Sequence, residues 1–345
     1  EDGTSMAAPF VTGLAALLIS VARRRSKTPA VEDIYDRNLI DSTWARNVAA
    51  AEDHNAPGTF TTFAGYEFTA MRFVSDTAAA NLHRNVIYRD GKSLADRVRP
   101  LTSFDTEIPN ELWDWMELYE KETSGRVFAI PHNGNLSNGL MFATETPDGV
   151  PIDAEWAEKR ARWEPLYEIT QTKGTSETHP SLSPSDEFAD FDIWDAGNLN
   201  VVPKETGMLE YEYAREALKR GLALEAEFGV NPFKFGLIGS TDSHTGISTS
   251  EEENFFGKFP ASEPSAERST GNAFDFEGRV VKDWQLGATG LMAVWAKENT
   301  RASIWDAMNR KEAYGTTGPR IGVRFFGGWD FSEQDVQSRN PAARG

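Results

Sequence analysis

The chain has 345 residues and 39% hydrophobic content, enough to bury a substantial core. Its 53 acidic and 35 basic residues leave a net charge of -18, which disfavours a surface built to grip nucleic acid or an anionic membrane; a small anionic substrate would need a local positive centre such as a metal ion. Cysteine is absent, so disulfides, thiolate metal sites and cysteine nucleophiles are excluded.

The chain opens on Glu1 and Asp2, with no charged stretch ahead of an apolar run, so no signal peptide is visible and localisation stays open. Residues 3–21, GTSMAAPFVTGLAALLISV, place small and apolar side chains all round a helical circumference and are followed by Arg23, Arg24 and Arg25. This predicts a buried helix whose basic end complements the macrodipole. Its apolar part, Phe10 to Val21, is shorter than the roughly 18 residues needed to span a bilayer. The string GTSMAAP resembles the nucleophile segment of subtilisin-like proteases over residues 2–34, with Ser5 at the nucleophile position. Triads of that type run Asp, His, Ser along the chain, and no histidine precedes His54. A peptidase acting through Ser5 would lack its base, and Ser5 reads better as a helix cap.

The polar stretch RRRSKTPAVED reads as a junction, which sets domain limits of 1–35 and 36–345. Beyond it, strand-like runs at 60–68, 83–89, 127–132, 166–171, 233–240, 289–296 and 321–327 alternate with helical stretches at 42–54, 111–125, 209–229 and 299–312. Such alternation predicts an α/β fold with a mostly parallel sheet or a barrel. The acidic SEEEN and the Ser/Pro-rich stretch 259–279 read as an exposed excursion.

The five histidines are His54, His83, His132, His179 and His244. Asp242 and His244 flank one residue in GSTDSHTG after an apolar run, and in an extended segment side chains two apart point the same way, so both can meet one ion. His132 ends the run in AIPHNGN, Glu67 lies near the end of FTTFAGYEF, and His83 begins LHRNVIY. Carboxylate and imidazole donors without sulfur suit zinc, manganese or iron. His179, in KGTSETHPSLSP, is a ligand or a loop histidine held locally, and His54 reads as a helix end.

The segments FAGYEF, NLHRNVIYRDG, AIPHNGNLSNGLMF, RWEPLYEITQTKGTSETHPSLSPSDEFADFDIWD, GSTDSHTGISTSEEENFFGK, VWAKENTR and TTGPRIGVRFFGGWDF resemble the domain-of-unknown-function family 3604, a relative of the polymerase-and-histidinol-phosphatase (PHP) superfamily, from about residue 36 onward. The resemblance implies a distorted (β/α)7-type PHP barrel and two or three divalent metal ions (Mn, Zn or Fe) that activate water for phosphoester hydrolysis of a small-molecule substrate. It implies Glu67 as a bridging carboxylate, His83 and His132 as single-metal ligands, Asp242 and His244 as the last ligand pair, and a catalytic part for Glu67 and Asp242. Arg162, Lys173 and Arg84 are candidates to offset substrate charge, and Asn133, Asn135, Ser240 and Thr241 to orient the ligands. The superfamily opens on an H-x-H strand, and no H-x-H occurs in this sequence. The expectation is therefore a barrel lacking its first strands behind a protease-like helix, acting as a phosphoesterase or else as an impaired fragment with an incomplete metal site.

Overall fold

In Arg84–Tyr88 every second side chain is buried, the period of a strand with one covered face. That strand, β4, stands in the computed structural model between β1 (Gly65–Phe68) and β5 (Val127–Pro131) and runs antiparallel to both. The structure describes residues 37–75, 78–146, 149–194, 197, 204–244, 258, 265–276, 279–286 and 290–337. A hairpin of β2 (Met71–Ser75) and β3 (Ala78–Asn81) links β1 to β4. In a second sheet β6 (Leu166–Gln171) pairs antiparallel with β7 (Gly174–Thr175) and parallel with β8 (Gly236–Gly239). The strands β9 (Asn272–Phe276) and β10 (Arg279–Lys282) form one further antiparallel pair, and β11 (Leu291–Val294) and β12 (Ala313–Thr316) another.

The first two sheets meet where β5 lies beside β6, and β8 in turn lies beside β11 and β12. The last approach depends on Gly290, where a Cβ would lie 2.1 Å from the carbonyl oxygen of Ser240. Among the described residues six α-helices accompany the strands: α1 (Arg37–Asp53), α2 (Lys92–Ala95), α3 (Pro109–Thr123), α4 (Ala154–Trp163), α5 (Ala214–Phe228) and α6 (Arg301–Asn309). Their limits follow local chemistry. Pro109 opens α3 where its missing N–H costs nothing. Asp153 and Thr300 accept the free amides of Trp156 and Ser303 at the starts of α4 and α6. Ser124 and Gly229 end α3 and α5 in the left-handed region.

Among the described residues the core has two parts. In the first, Trp44 of α1 meets Tyr66 of β1 and Tyr88 of β4 with ring centroids 5.8 and 5.1 Å apart, and Tyr119 of α3 closes on Tyr88 at 5.1 Å. In the second, Trp305 of α6 meets Phe128 of β5 in a tilted contact at 4.9 Å among Ile130, Leu166 and Ile238. Both clusters back the strands and leave their ends free to carry polar side chains.

The molecule is a mixed α/β protein, and among the described residues no sheet closes into a barrel. The expected mostly parallel sheet gives way because β1, β4 and β5 are antiparallel neighbours, a pattern that repeated strand–helix–strand crossovers do not produce. The run 321–327 is no strand. It is held by the Tyr314 hydroxyl, which donates to the Ile321 carbonyl at 2.6 Å and accepts from the Val323 amide at 3.0 Å, while Phe325 stands 89% exposed. The stretch read as an excursion contains β9, and α4 was not among the expected helices. The expected helix 3–21, with Ser5 and the whole of the junction, lies outside the described residues. No described helix is long and apolar enough to cross a membrane.

Candidate functional site

Antiparallel pairing brings the end of β1, the start of β4 and the end of β5 to one place. Glu67 stands opposite Asn85, and Arg84 opposite Pro131, so His83 and His132 flank the pairing on the same side as Glu67. The His132 amide donates to the His83 carbonyl at 3.0 Å, and the two imidazole centroids lie 5.5 Å apart. From β6 comes Glu168, fully buried, whose Oε2 accepts the Asn133 amide at 2.9 Å and lies 3.9 Å from His132 Nδ1. Just beyond β8, Ser240 donates its hydroxyl to Glu168 Oε1, and Asp242 follows at φ 49, a left-handed conformation uncommon outside glycine, asparagine and aspartate. His244 places Nε2 3.7 Å from Asp242 Oδ1.

Two lysines complete the cluster. Lys173, in the β6–β7 turn, donates to Asp242 Oδ2. Lys258 donates to that same oxygen, to the Asp242 carbonyl at 2.7 Å and to His244 Nε2 at 2.9 Å. The expected Glu67, His83, His132, Asp242 and His244 thus lie in one connected cluster with Glu168, Lys173 and Lys258.

At Glu67, burial pushes the carboxyl up, but the hydrogen bond from His83 Nδ1 at 2.8 Å and the nearby imidazoles bring it down to about 2. Burial lowers the His83 imidazole despite that partner, so the ring is neutral with its proton on Nδ1. Its Nε2 lone pair then faces the interior, and among the described residues neither His83 Nε2 nor His132 Nδ1 has a hydrogen-bond partner, although both are shut from solvent. At Asp242 burial is outweighed by Lys173 and Lys258, which hold the carboxyl well below its ordinary value. Burial draws Lys258 down to about 8 even with Asp242 beside it, whereas for Lys173 the pull of Asp242 and the nearby glutamates overcomes burial and raises it.

Three carboxylates against two ammonium groups leave a formal excess of negative charge in a buried place. Oxygen and imidazole donors, that excess and two open ring nitrogens fit a divalent cation at the Glu67, His83, His132 and Glu168 end. A finished ligand shell is not in place, since no three such side chains among the described residues close on one point. The reason is visible: Glu67 is turned to His83, and the lysines occupy Asp242. A carboxylate on the far nitrogen of an imidazole is also how proteins orient a histidine for a metal, so Glu67 serves His83 in this arrangement more directly than it bridges.

Among the described residues Arg162 and Arg84 do not reach the cluster, and the described contacts of His179 lie with Ser181 and Tyr213. Arg162 ends α4 ahead of β6, pairing with Glu120 at 2.7 Å and covering Trp163. The whole of β6, about 17 Å at ~3.3 Å per residue, separates it from the site, so the catalytic part expected for it does not stand. Arg84 is buried against Glu164 at 3.1 Å on the opposite side of β4 from His83. His179 Nδ1 is engaged locally by Ser181, 2.6 Å to the hydroxyl, and the ring leans on Tyr213. His54 is an exposed helix end. The sequence reading missed Glu168 and Lys258. Glu168 carried a signal, being the one charged side chain in LYEITQ, where a buried carboxylate demands partners; Lys258 carried none.

In comparison with known proteins, the family described as Protein of unknown function (DUF3604) matches residues 10–345. No curated protein and no solved structure matches the chain.

Proposed function

Since this chain belongs to the DUF3604 family, whose description carries no activity, we propose from its own site that it is a metal-dependent hydrolase of small anionic esters, foremost phosphoesters. The observation that carries the reading is the buried pair of unpartnered imidazole nitrogens, His83 Nε2 and His132 Nδ1, beside carboxylates in negative excess. His83, His132, Glu168, Glu67, Asp242 and His244 are the residues that would hold manganese, zinc or iron, as one ion or a group of two or three. Bound there, a divalent ion supplies Lewis-acid activation of water at neutral pH. On the same reading the strands carrying these residues are part of a distorted PHP-type barrel wall.

The chain's own part is orientation. Glu67 fixes the His83 tautomer, and Thr69 steadies Glu67 Oε1 at 3.2 Å. The Asn133 amide and the Ser240 hydroxyl, which occupy both oxygens of Glu168, hold that carboxylate in one rotamer. Hydrolysis of p-nitrophenyl phosphate by chelator-stripped protein tests the proposal. Activity should appear with added Mn2+ and vanish with chelator or in His83→Ala and His132→Ala. Equal activity with and without chelator, or no activity with any of the three metals, contradicts it.

A further inference from the structure

The two lysines of the cluster do different things. Lys258 Nζ has three protons and three acceptors: Asp242 Oδ2, the Asp242 carbonyl and His244 Nε2. The Lys258 carbonyl also accepts the His244 amide at 3.0 Å, and the side chain is 5% exposed. Lys258 is therefore tied to the Asp242–His244 turn by backbone and side chain, with no donor left over.

Lys173 is built otherwise. Its ammonium donates to Asp242 Oδ2, an oxygen that Lys258 already serves, and its side chain is 15% exposed. Two of its three protons are uncommitted among the described residues. The backbone beneath it is fixed on both sides by buried amides: the Lys173 N–H donates to Gln171 Oε1, and the Lys173 carbonyl accepts Asn135 Nδ2 at 2.9 Å. Gln171 and Asn135 are themselves joined through Asn133, with Gln171 Nε2 at 2.9 Å from Asn133 Oδ1 and Asn133 Nδ2 at 2.6 Å from Asn135 Oδ1. Gly174 finishes the turn at φ +87, where a Cβ would strike the Asp192 carbonyl at 2.6 Å. A rigid turn thus presents an ammonium group with uncommitted protons to the cluster that holds His83 and His132.

We infer that Lys173 receives the oxyanion of a tetrahedral ester substrate, a phosphate or sulfate ester, while Lys258 fastens the Asp242–His244 turn and meets no substrate. The inference deepens the hydrolase reading and rests on it for the word substrate. The test is calorimetric titration of inorganic phosphate, and separately of sulfate, into the Mn2+-supplemented protein and its Lys173→Met, Lys173→Arg and Lys258→Met variants, with bound metal and Tm measured for each. Lys173→Met should weaken oxyanion binding about tenfold or more, the worth of one charge-assisted hydrogen bond, when compared with the parent at matched metal occupancy and below the Tm of both. Lys173→Arg should keep most of the affinity, which separates charge from folding should the methionine variant be unstable. Lys258→Met should lower Tm. The phosphate and sulfate arms identify which ester is favoured. A parent that binds neither anion, or a Lys173→Met variant that binds within tenfold of the parent, overturns the inference. Anion binding that depends on Lys173 in protein without metal or hydrolytic activity would keep the inference and discard the hydrolase reading.

Discussion

Glu164 shows how much one buried charge can govern away from the site. Arg84 lies 3.1 Å from one of its oxygens, Arg160 3.2 Å from the other, and the Trp113 indole donates at 2.9 Å. Burial alone would raise the carboxyl, but the two guanidinium charges and these hydrogen bonds hold it below its ordinary 4.5. A depressed carboxyl stabilises the fold fully above its unfolded value, and that contribution disappears as pH falls through the folded one. Stability should therefore begin to decline below pH 4.5, and urea titrations of Glu164→Gln should show a flatter acid limb. Glu164→Ala, which strands two buried guanidinium groups, should cost roughly 3–5 kcal/mol at pH 7. At the site, Glu67→Ala removes the hydrogen bond that fixes His83, and Mn2+ affinity should fall about 10–100-fold while circular dichroism stays that of the parent. An unaltered affinity would show that the imidazole needs no such partner.

Among the elements, α1 packs on the first sheet through Trp44, 3% exposed and set against Tyr66 and Tyr88. Trp44→Ala leaves a cavity under that helix, so denaturant unfolding should show a loss of about 3–5 kcal/mol. The β6–β7 turn makes a different case, since hydrogen bonds to its backbone fix it. Gly174→Ala forces a side chain into the left-handed region and should cost about 1–3 kcal/mol while displacing Lys173, which phosphate titration would detect. Elements with a clear period were legible in the sequence: 166–171 is β6 to the residue, and the helices at 42–54 and 111–125 differ from α1 and α3 only at their ends. The two-residue β7 and the β2–β3 hairpin were not, because short strands have too few residues to show a period. The run 321–327 misled because its aromatic residues look like buried strand, yet a tyrosine hydroxyl stands in for a ladder partner.

Across the whole molecule, a net charge of -18 coexists with a cluster in which two lysines answer three carboxylates. Polar residues at the ends of apolar runs singled out Glu67, His83, His132, Asp242 and His244, and they do converge, although the antiparallel first sheet brings His83 in from the start of its strand. What sequence could not supply is spacing across elements: Arg162 looked as suitable as Lys173, and only the length of β6 separates them. Glu168 was hidden by the apolar company that buries it. The central claim is that this cluster takes up a divalent cation through His83 and His132. Calorimetric titration of Mn2+ into chelator-stripped protein, beside the His83→Ala/His132→Ala double variant, tests it most directly. The account predicts saturable binding by the parent, weakened about a hundredfold or more in the variant. Parent protein that takes up none of Mn2+, Zn2+ or Fe2+, or a double variant that binds as the parent does, would contradict it.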